Sequence, residues 1–121
     1  MPRKVLIVDD TAVVRKMIRS IYENEGWTVL EASGGNEAVE IYKRIKPDLV
    51  AMDISMVEGD GLTATAEIVK FDPNAKIIMI SASSEKELVV KSIQAGAKGF
   101  IVKPIDTNRL LQETYKLVPP E

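Results

Sequence analysis

Five short apolar runs recur along the chain at regular intervals, and most of them are continuous rather than alternating with polar residues. They lie at positions 5–8, 28–30, 49–52, 77–80 and 100–102. Continuous apolar runs of this length are typical of strands that are covered on both faces, as in a parallel sheet. The second run is weaker and is followed by Glu31, which favours the edge of the sheet.

The segments between these runs carry apolar residues three or four positions apart, which predicts five amphipathic helices. The predicted apolar stripes are Val13, Met17, Ile21 and Tyr22; Ala38, Ile41, Tyr42 and Ile45; Leu62, Ala66 and Val69; Leu88 or Val89 with Ile93; and Leu110, Leu111, Thr114, Tyr115 and Val118. Pro47, Pro73 and Gly96 each follow a helical segment and favour its end there. Ser84 and Glu87 resemble a capping box at the start of the fourth helix.

The alternation of strands and helices predicts a (βα)₅ protein of the α/β class, doubly wound, with helices on both faces of a five-stranded parallel sheet. Right-handed crossovers leave few topologies. Among them we favour the order 2-1-3-4-5, which is already known from flavodoxin-like proteins. The 121 residues suit one domain, 1–121, in which 118–121 form a tail or the start of a linker.

Composition limits the possible chemistry. The net charge of -2 disfavours nucleic-acid binding, and no apolar run approaches the length of a membrane span. We therefore expect a cytoplasmic protein that contacts neither nucleic acid nor a membrane. The chain has no cysteine and no histidine, which excludes disulfides, thiolate ligands and imidazole bases. Any chemistry must use carboxylates, lysine, hydroxyls and a bound metal.

Reactive side chains follow four of the predicted strands. The residues at these ends are Asp9 and Asp10, Asp53, Ser81, and Lys103 with Pro104. In sheets of this kind ligands bind beyond the carboxyl ends of the strands. Three neighbouring carboxylates remain ionised together only if a cation lies among them, and oxygen ligands at an open site suit Mg²⁺. An aspartate can also act as a nucleophile and form an acyl phosphate.

In their order and spacing, these four features resemble the response-regulator receiver domains, the CheY-like family, from end to end of the chain. The resemblance implies that Asp53 is the phosphoacceptor. It also implies that Mg²⁺ is held by Asp9 or Asp10, chiefly Asp10, together with Asp53 and the backbone carbonyl of Ser55.

The resemblance assigns further roles beside the phosphoacceptor. Lys103 would contact the phosphoryl group, and the Lys103–Pro104 peptide bond would be cis. Ser81 would be the switch hydroxyl, and Phe100 would stand at the switch aromatic position. One departure from the family is Val57, which stands where proline is usual.

The function predicted in this way is a phosphorylation switch rather than a turnover enzyme, although the chain would catalyse its own phosphorylation and slow dephosphorylation. A partner histidine kinase would supply the phosphoryl group. The fourth helix, fifth strand and fifth helix would then bind a downstream protein. A free-standing chemotaxis-type regulator is favoured. The alternatives are a fragment of a longer DNA-binding regulator and a phosphorelay intermediate, and the chain would be a monomer or a weak phosphorylation-dependent dimer.

Three other classes of function compete with this prediction. An aspartyl-phosphate phosphatase typically has a second aspartate two residues after the nucleophile, where this chain has Ser55. A flavodoxin-like cofactor binder is disfavoured because Asp9 and Asp10 would repel a phosphate. A docking module that is never phosphorylated is the third alternative, against which the complete set of acidic residues and Lys103 argue.

Overall fold

A computed structural model describes residues 2–56 and 60–120 and contains five strands and five helices within them. The strands are β1 (Lys4–Val8), β2 (Thr28–Ala32), β3 (Leu49–Asp53), β4 (Ile77–Ser81) and β5 (Gly99–Val102). The helices are α1 (Ala12–Asn24), α2 (Gly35–Ile45), α3 (Gly61–Phe71), α4 (Lys86–Ala95) and α5 (Thr107–Leu117). Strands and helices alternate throughout, as the sequence pattern predicts.

The strands form one parallel sheet in the order β2-β1-β3-β4-β5, which confirms the predicted topology. The weaker second run, β2, lies at an edge. Near the carboxyl ends of the strands, Val8 pairs with both Ala32 and Met52, Asp53 pairs with Ile80, and Ser81 pairs with Val102. This register brings the ends of the strands to one edge of the sheet.

Successive residues of each central strand alternate between two separate hydrophobic layers, one on each face of the sheet. Val5 and Ile7 pack in the layer that contains Ile18 of α1 and Leu110 of α5. Leu6 and Val8 pack in the other layer, against residues of α2, α3 and α4. All residues of β3 and β4 are buried. Each fully buried large side chain contributes about 1.5–3 kcal/mol to the stability of the fold. These strands therefore hold the residues at their carboxyl ends in fixed positions.

The phase of α1 differs from the prediction by one residue. Val13 and Met17 are exposed, at 78% and 44%, whereas Ile18, Ile21 and Tyr22 are buried. The predicted stripe is therefore wrong in its first half. Apolar residues occur in neighbouring pairs at 13–14 and 17–18, so the spacing alone is compatible with either phase.

Three details of the predictions for α3 and α4 are also wrong. In α3, Leu62 and Val69 pack against the core as predicted, but Ala66 is exposed. The fully buried residues of this helix include Ala64, Thr65 and Ile68. In α4, Leu88 packs against the core as predicted, but Ile93 is 65% exposed. The predicted capping box is absent, because Glu85 precedes the first turn of α4 and no side chain caps it.

Side chains cap two of the other helices. Asp60 accepts a hydrogen bond from the amide of Thr63 at the start of α3, and Asp106 accepts from two amides at the start of α5. Each of these caps contributes about 1 kcal/mol to the stability of the protein. At the end of α4, Gly96 has a φ of 108°, a left-handed conformation that favours glycine. These local signals set the helix boundaries on either side of the site.

No helix within residues 2–56 and 60–120 combines the length and apolar character that crossing a membrane requires.

The start of α3 packs directly on the end of β3. The amide of Gly61 donates to the carbonyl oxygen of Ile54 at 2.9 Å. A Cβ at Gly61 would overlap the backbone carbonyl of Asp53 and would lie 2.9 Å from the Cα atom of Ile54. Glycine at this position therefore allows the helix to approach the backbone of Asp53.

We expect Gly61→Ala to lower the free energy of unfolding by about 1–3 kcal/mol, because the new methyl group forces this backbone contact apart. Denaturant unfolding measures the loss, and amide NMR shifts locate it at Asp53. Gly26→Ala is the control, since no atom lies within 4 Å of the Cβ position there, although its φ of 86° adds backbone strain. Gly61→Ala with unchanged stability and unchanged Asp53 shifts would contradict the contact.

A hydrogen bond between α2 and the end of α3 gives a pH-dependent prediction. The Tyr42 hydroxyl donates to Asp72 Oδ2 at 2.7 Å, and this bond, with the amide of Asn74, lowers the pKa of Asp72. Because the pKa is lowered in the folded state, the contribution to stability is present above the ordinary aspartate pKa. It is lost as the pH falls through the folded-state pKa.

Tyr42→Phe should therefore lower the free energy of unfolding at neutral pH by at most about 1 kcal/mol, because Asp72 remains accessible to water. In acid the substitution should lower it by less. Urea unfolding of both chains across this pH range measures the difference. In an Asp72→Asn background the effect of Tyr42→Phe should no longer depend on pH. A cost that is equal at neutral and acidic pH in the parent background would count against the bond.

Candidate functional site

Three aspartates converge at the carboxyl end of the sheet. Asp9 and Asp10 follow β1, and Asp53 is the last residue of neighbouring β3. One carboxylate oxygen from each lies within 4.8 Å of the others. Asp9 and Asp53 are buried, whereas Asp10 is exposed. The sheet topology therefore brings together the three acidic residues that the sequence singled out.

Asp9 is held by four hydrogen bonds that use both its backbone and its side chain. Its amide donates to the carbonyl oxygen of Ala32 at 3.2 Å, and its Oδ1 accepts from the amide of Thr11 at 2.8 Å. Its Oδ2 accepts from Lys103 Nζ at 3.2 Å, and its carbonyl oxygen accepts from Arg15 Nη1 at 2.7 Å. The loop between β1 and α1 is thus fixed around a buried carboxylate.

Lys103 brings a positive charge among these carboxylates from the end of β5. Its Nζ lies 3.2 Å from Asp9 Oδ2 and 3.5 Å from Asp53 Oδ1. Burial opposes the charged ammonium, but the carboxylates of Asp53 and Asp9 outweigh it and raise the pKa of Lys103. The side chain therefore remains a cation. The Lys103–Pro104 peptide bond is cis, which is the isomer that the resemblance implies.

Asp53 is only 4% exposed, and the ionisation of its carboxyl group is strongly affected by its surroundings. Burial, followed by the neighbouring carboxylate of Asp9, raises its pKa to about 6, even though Lys103 acts in the opposite direction. The cation of Lys103 thus offsets only part of the repulsion within the cluster. A further cation among the oxygens would favour the ionised form.

Ser81 ends β4 one residue beyond Ile80, which is the register partner of Asp53. The residue is buried, and its Oγ accepts a hydrogen bond from the amide of Ser83 at 3.1 Å. Its carbonyl oxygen accepts from the amide of Lys103 at 2.7 Å, which joins the ends of β4 and β5. Phe100 is half-buried in β5 and packs against the layer formed with α2, α3 and α4.

The donor set suits a hard divalent cation. Three carboxylates at an open edge of a sheet offer oxygen ligands without nitrogen or sulfur, which is the chemistry that Mg²⁺ prefers. Ser55, whose carbonyl oxygen is the expected fourth protein ligand, is exposed two residues after Asp53. Val57, the departure from the usual proline, lies outside the described residues.

Two groups that contribute to this site are not among the predicted site residues. Arg15 and Glu31 form an ion pair beside the loop of Asp9, with 2.9 Å between Arg15 Nε and Glu31 Oε1. Gly61 allows α3 to approach the backbone of Asp53. An arginine five residues after the acidic pair was the only available signal for the first group, and ordinary surface helices often carry such a residue.

Comparisons with known proteins agree with this geometry. The family described as "Response regulator receiver domain" matches residues 5–115. The chemotaxis protein CheY of Thermotoga maritima is 49% identical over 118 residues, which cover 97% of this chain and 98% of that protein. CheY of Bacillus subtilis is 50% identical over 117 residues, covering 96% of this chain and 98% of that protein.

A solved structure is also similar along almost the whole chain. CheY in the CheX-CheY-BeF3-Mg+2 complex from Borrelia burgdorferi has a TM-score of 0.92 and 41% identity, and the match covers 97% of this chain and 90% of that one. The family match covers most of the sequence, and the similar proteins match almost the whole chain. Both findings are consistent with the acidic cluster at the edge of the sheet. The chain therefore belongs to the response regulator receiver family and is a CheY-type phosphoacceptor domain of two-component signalling.

Proposed function

We propose that the chain accepts a phosphoryl group on Asp53 in the presence of Mg²⁺ and uses it to change the surface of α4, β5 and α5. The observation that carries this proposal is the meeting of Asp9, Asp10 and Asp53 with Lys103 at one edge of the sheet. The phosphoryl donor is the phosphohistidine of a partner kinase, since this chain contains no histidine.

In the proposed reaction, a carboxylate oxygen of Asp53 attacks the phosphorus atom of the donor. The new bond joins oxygen to phosphorus, and the bond between phosphorus and the donor nitrogen breaks. The electron pair of that bond leaves with the imidazole. The Asp53 carboxyl, with a pKa of about 6, is mostly ionised at neutral pH and can act as the nucleophile. The Lys103 ammonium, 3.5 Å from Asp53 Oδ1, is placed to bind an oxygen of the transferred group.

Mg²⁺ would be held by Asp10, Asp53 and the carbonyl oxygen of Ser55, with Asp9 beside it. When bound, it supplies positive charge that offsets the negative charge of the carboxylates and of the phosphoryl oxygens. The chain's own residues orient the acceptor and exclude water from one side of it, because Asp53 is almost fully buried. The same residues would catalyse slow hydrolysis of the acyl phosphate, so the product is a state of limited lifetime.

The signal would pass from Asp53 to the surface through Ser81 and Phe100. In this proposal the Ser81 hydroxyl exchanges its bond with the amide of Ser83 for one with the phosphoryl group. The 83–85 segment, in which Ser83 Oγ accepts from the amide of Glu85, leads directly into α4. A new dianionic group that binds such a hydroxyl can bias two arrangements of a nearby segment.

The surface that receives this change is partly apolar. Val90, Ile93 and Val102 are exposed at 41%, 65% and 39%, and a groove of about 210 Å³ between α4 and β5 is lined by Val89, Phe100 and their neighbours. We propose that a downstream protein binds here. The chemotaxis-type regulator is favoured because relatives at 49–50% identity carry the name CheY. A relay intermediate and a piece of a DNA-binding regulator remain the alternatives.

The first test is the mass of the intact chain after incubation with acetyl phosphate, with and without Mg²⁺. We expect a single phosphoryl adduct that requires Mg²⁺ and is lost in Asp53→Ala, because the acceptor oxygen is then missing. Glu67→Ala, which removes an exposed acid on α3, is the control and should keep the adduct. If no chain forms an adduct, the phosphoacceptor proposal fails and a docking module takes its place.

A second test separates phosphorylation from its effect on the surface. Beryllofluoride with Mg²⁺, as found in the Borrelia complex, serves as a stable phosphoryl analogue. Ser81→Ala should still bind it but should lose most of the amide NMR shift changes in α4 and β5, because the hydroxyl that links the two regions is gone. Ser84→Ala, an exposed serine in the same segment, should behave like the parent chain. Equal shift changes in all three chains would rule out Ser81 as the switch.

A further inference from the structure

Arg15 connects the acidic site to the edge strand of the sheet. Its Nη1 donates to the carbonyl oxygen of Asp9 at 2.7 Å, while its Nε donates to Glu31 Oε1 at 2.9 Å. Its side chain is only 18% exposed. Arg15 lies on α1 and Glu31 lies on β2, so one guanidinium joins a helix, a strand and the loop between β1 and α1.

The bond to Asp9 fixes the peptide group that leads into Asp10. A peptide group is planar, so holding the carbonyl of Asp9 also sets the direction in which the next residue leaves. The amide and side chain of Asp9 are already bonded to Ala32, Thr11 and Lys103. Its carbonyl oxygen accepts the hydrogen bond from Arg15. The side chain of Asp10 is exposed and accepts from Thr11 Oγ1 at 3.4 Å, and the direction in which its backbone leaves Asp9 is set in part by this guanidinium.

We infer that Arg15, anchored by Glu31, is a positioning residue that sets the affinity of the acidic cluster for Mg²⁺ by orienting the Asp9–Asp10 peptide group. The inference rests on the proposed function, since it concerns the same metal site. A rigid guanidinium suits this role because its planar donors bind a carboxylate and a carbonyl at the same time. A lysine ammonium is a compact charge on a flexible chain and cannot reproduce this geometry.

A purely electrostatic role for Arg15 predicts the opposite change in Mg²⁺ affinity, so the two roles can be distinguished by experiment. Arg15 is a cation near three carboxylates, so removing its charge should strengthen the attraction for Mg²⁺ if charge were its only effect. If Arg15 positions the loop, its removal should weaken Mg²⁺ binding instead. The sign of the change distinguishes the two roles.

Arg19 provides a matched control on the same helix. Its Nε lies 3.1 Å from the other oxygen of Glu31, and its Nη1 lies 3.5 Å from Glu23. It shares its charge and one carboxylate partner with Arg15, and it is one turn further from the loop of Asp9. Replacing it removes the same charge and a similar ion pair without touching the Asp9 carbonyl.

The experiment is a titration of the full chain with MgCl₂ at constant ionic strength and without any phosphodonor, followed by amide NMR shifts. We expect Arg15→Gln and Arg15→Lys to raise the Kd for Mg²⁺ by about tenfold, the lower end of what losing the support of a metal ligand costs. Arg19→Gln should leave the Kd unchanged or slightly lower. Thermal unfolding of the metal-free chains shows whether each variant is folded and how much stability each ion pair contributes.

An unchanged or lower Kd in Arg15→Gln would overturn the inference, and so would a parent-like Kd in the charge-preserving Arg15→Lys. An equal loss of affinity in Arg19→Gln would overturn it as well, because the effect would then belong to the ion-pair network as a whole. If the parent binds Mg²⁺ but takes no phosphoryl group, the proposed function fails while the comparison of Arg15 with Arg19 still decides the inference. A parent chain that does not bind Mg²⁺ overturns both the inference and the metal requirement.

Discussion

The repulsion among three carboxylates at the end of the sheet is the constraint on which the site depends. Asp9 and Asp53 are buried, and Lys103 reaches both of them, yet the pKa of Asp53 still rises to about 6. One ammonium therefore offsets only part of the negative charge. Because the cluster keeps an excess of negative charge, it is suited to bind a divalent cation and then an anionic group. This property connects the electrostatics of the fold to the phosphoacceptor role of the family.

The buried sheet makes this concentration of charge possible. Strands β3 and β4 are buried along their whole length, and apolar layers on both faces hold them in register. The reactive groups lie at the ends of these rigid elements, so packing energy from the whole domain holds them in place. Gly61 completes the arrangement, because a residue without a side chain lets α3 rest on the backbone of Asp53.

The helices around the site are held less uniformly than the strands. Asp60 and Asp106 cap α3 and α5, whereas no side chain caps the start of α4, and near the end of that helix Ile93 is largely exposed. The element proposed to change on phosphorylation therefore begins without a side-chain cap. By contrast, the Tyr22 hydroxyl lies 2.8 Å from that of Thr114, which itself donates to the carbonyl of Leu110, so that α1 is tied to α5 on the opposite face.

Hydrophobic periodicity by itself determined the alternation of strands and helices, the edge position of β2 and the residues that end each strand, because burial on both faces requires continuous apolar runs. The acidic residues and Lys103 could be read from their places after those runs. Periodicity could not set the phase of α1, where the neighbouring apolar pairs at 13–14 and 17–18 permit two faces, and only packing against the sheet selected Ile18 over Met17. Nor could it reveal Arg15 with Glu31, or the contact of Gly61 with Asp53. These depend on distances between elements that are remote in the chain, and such distances are fixed only when the whole sheet and its helices pack together.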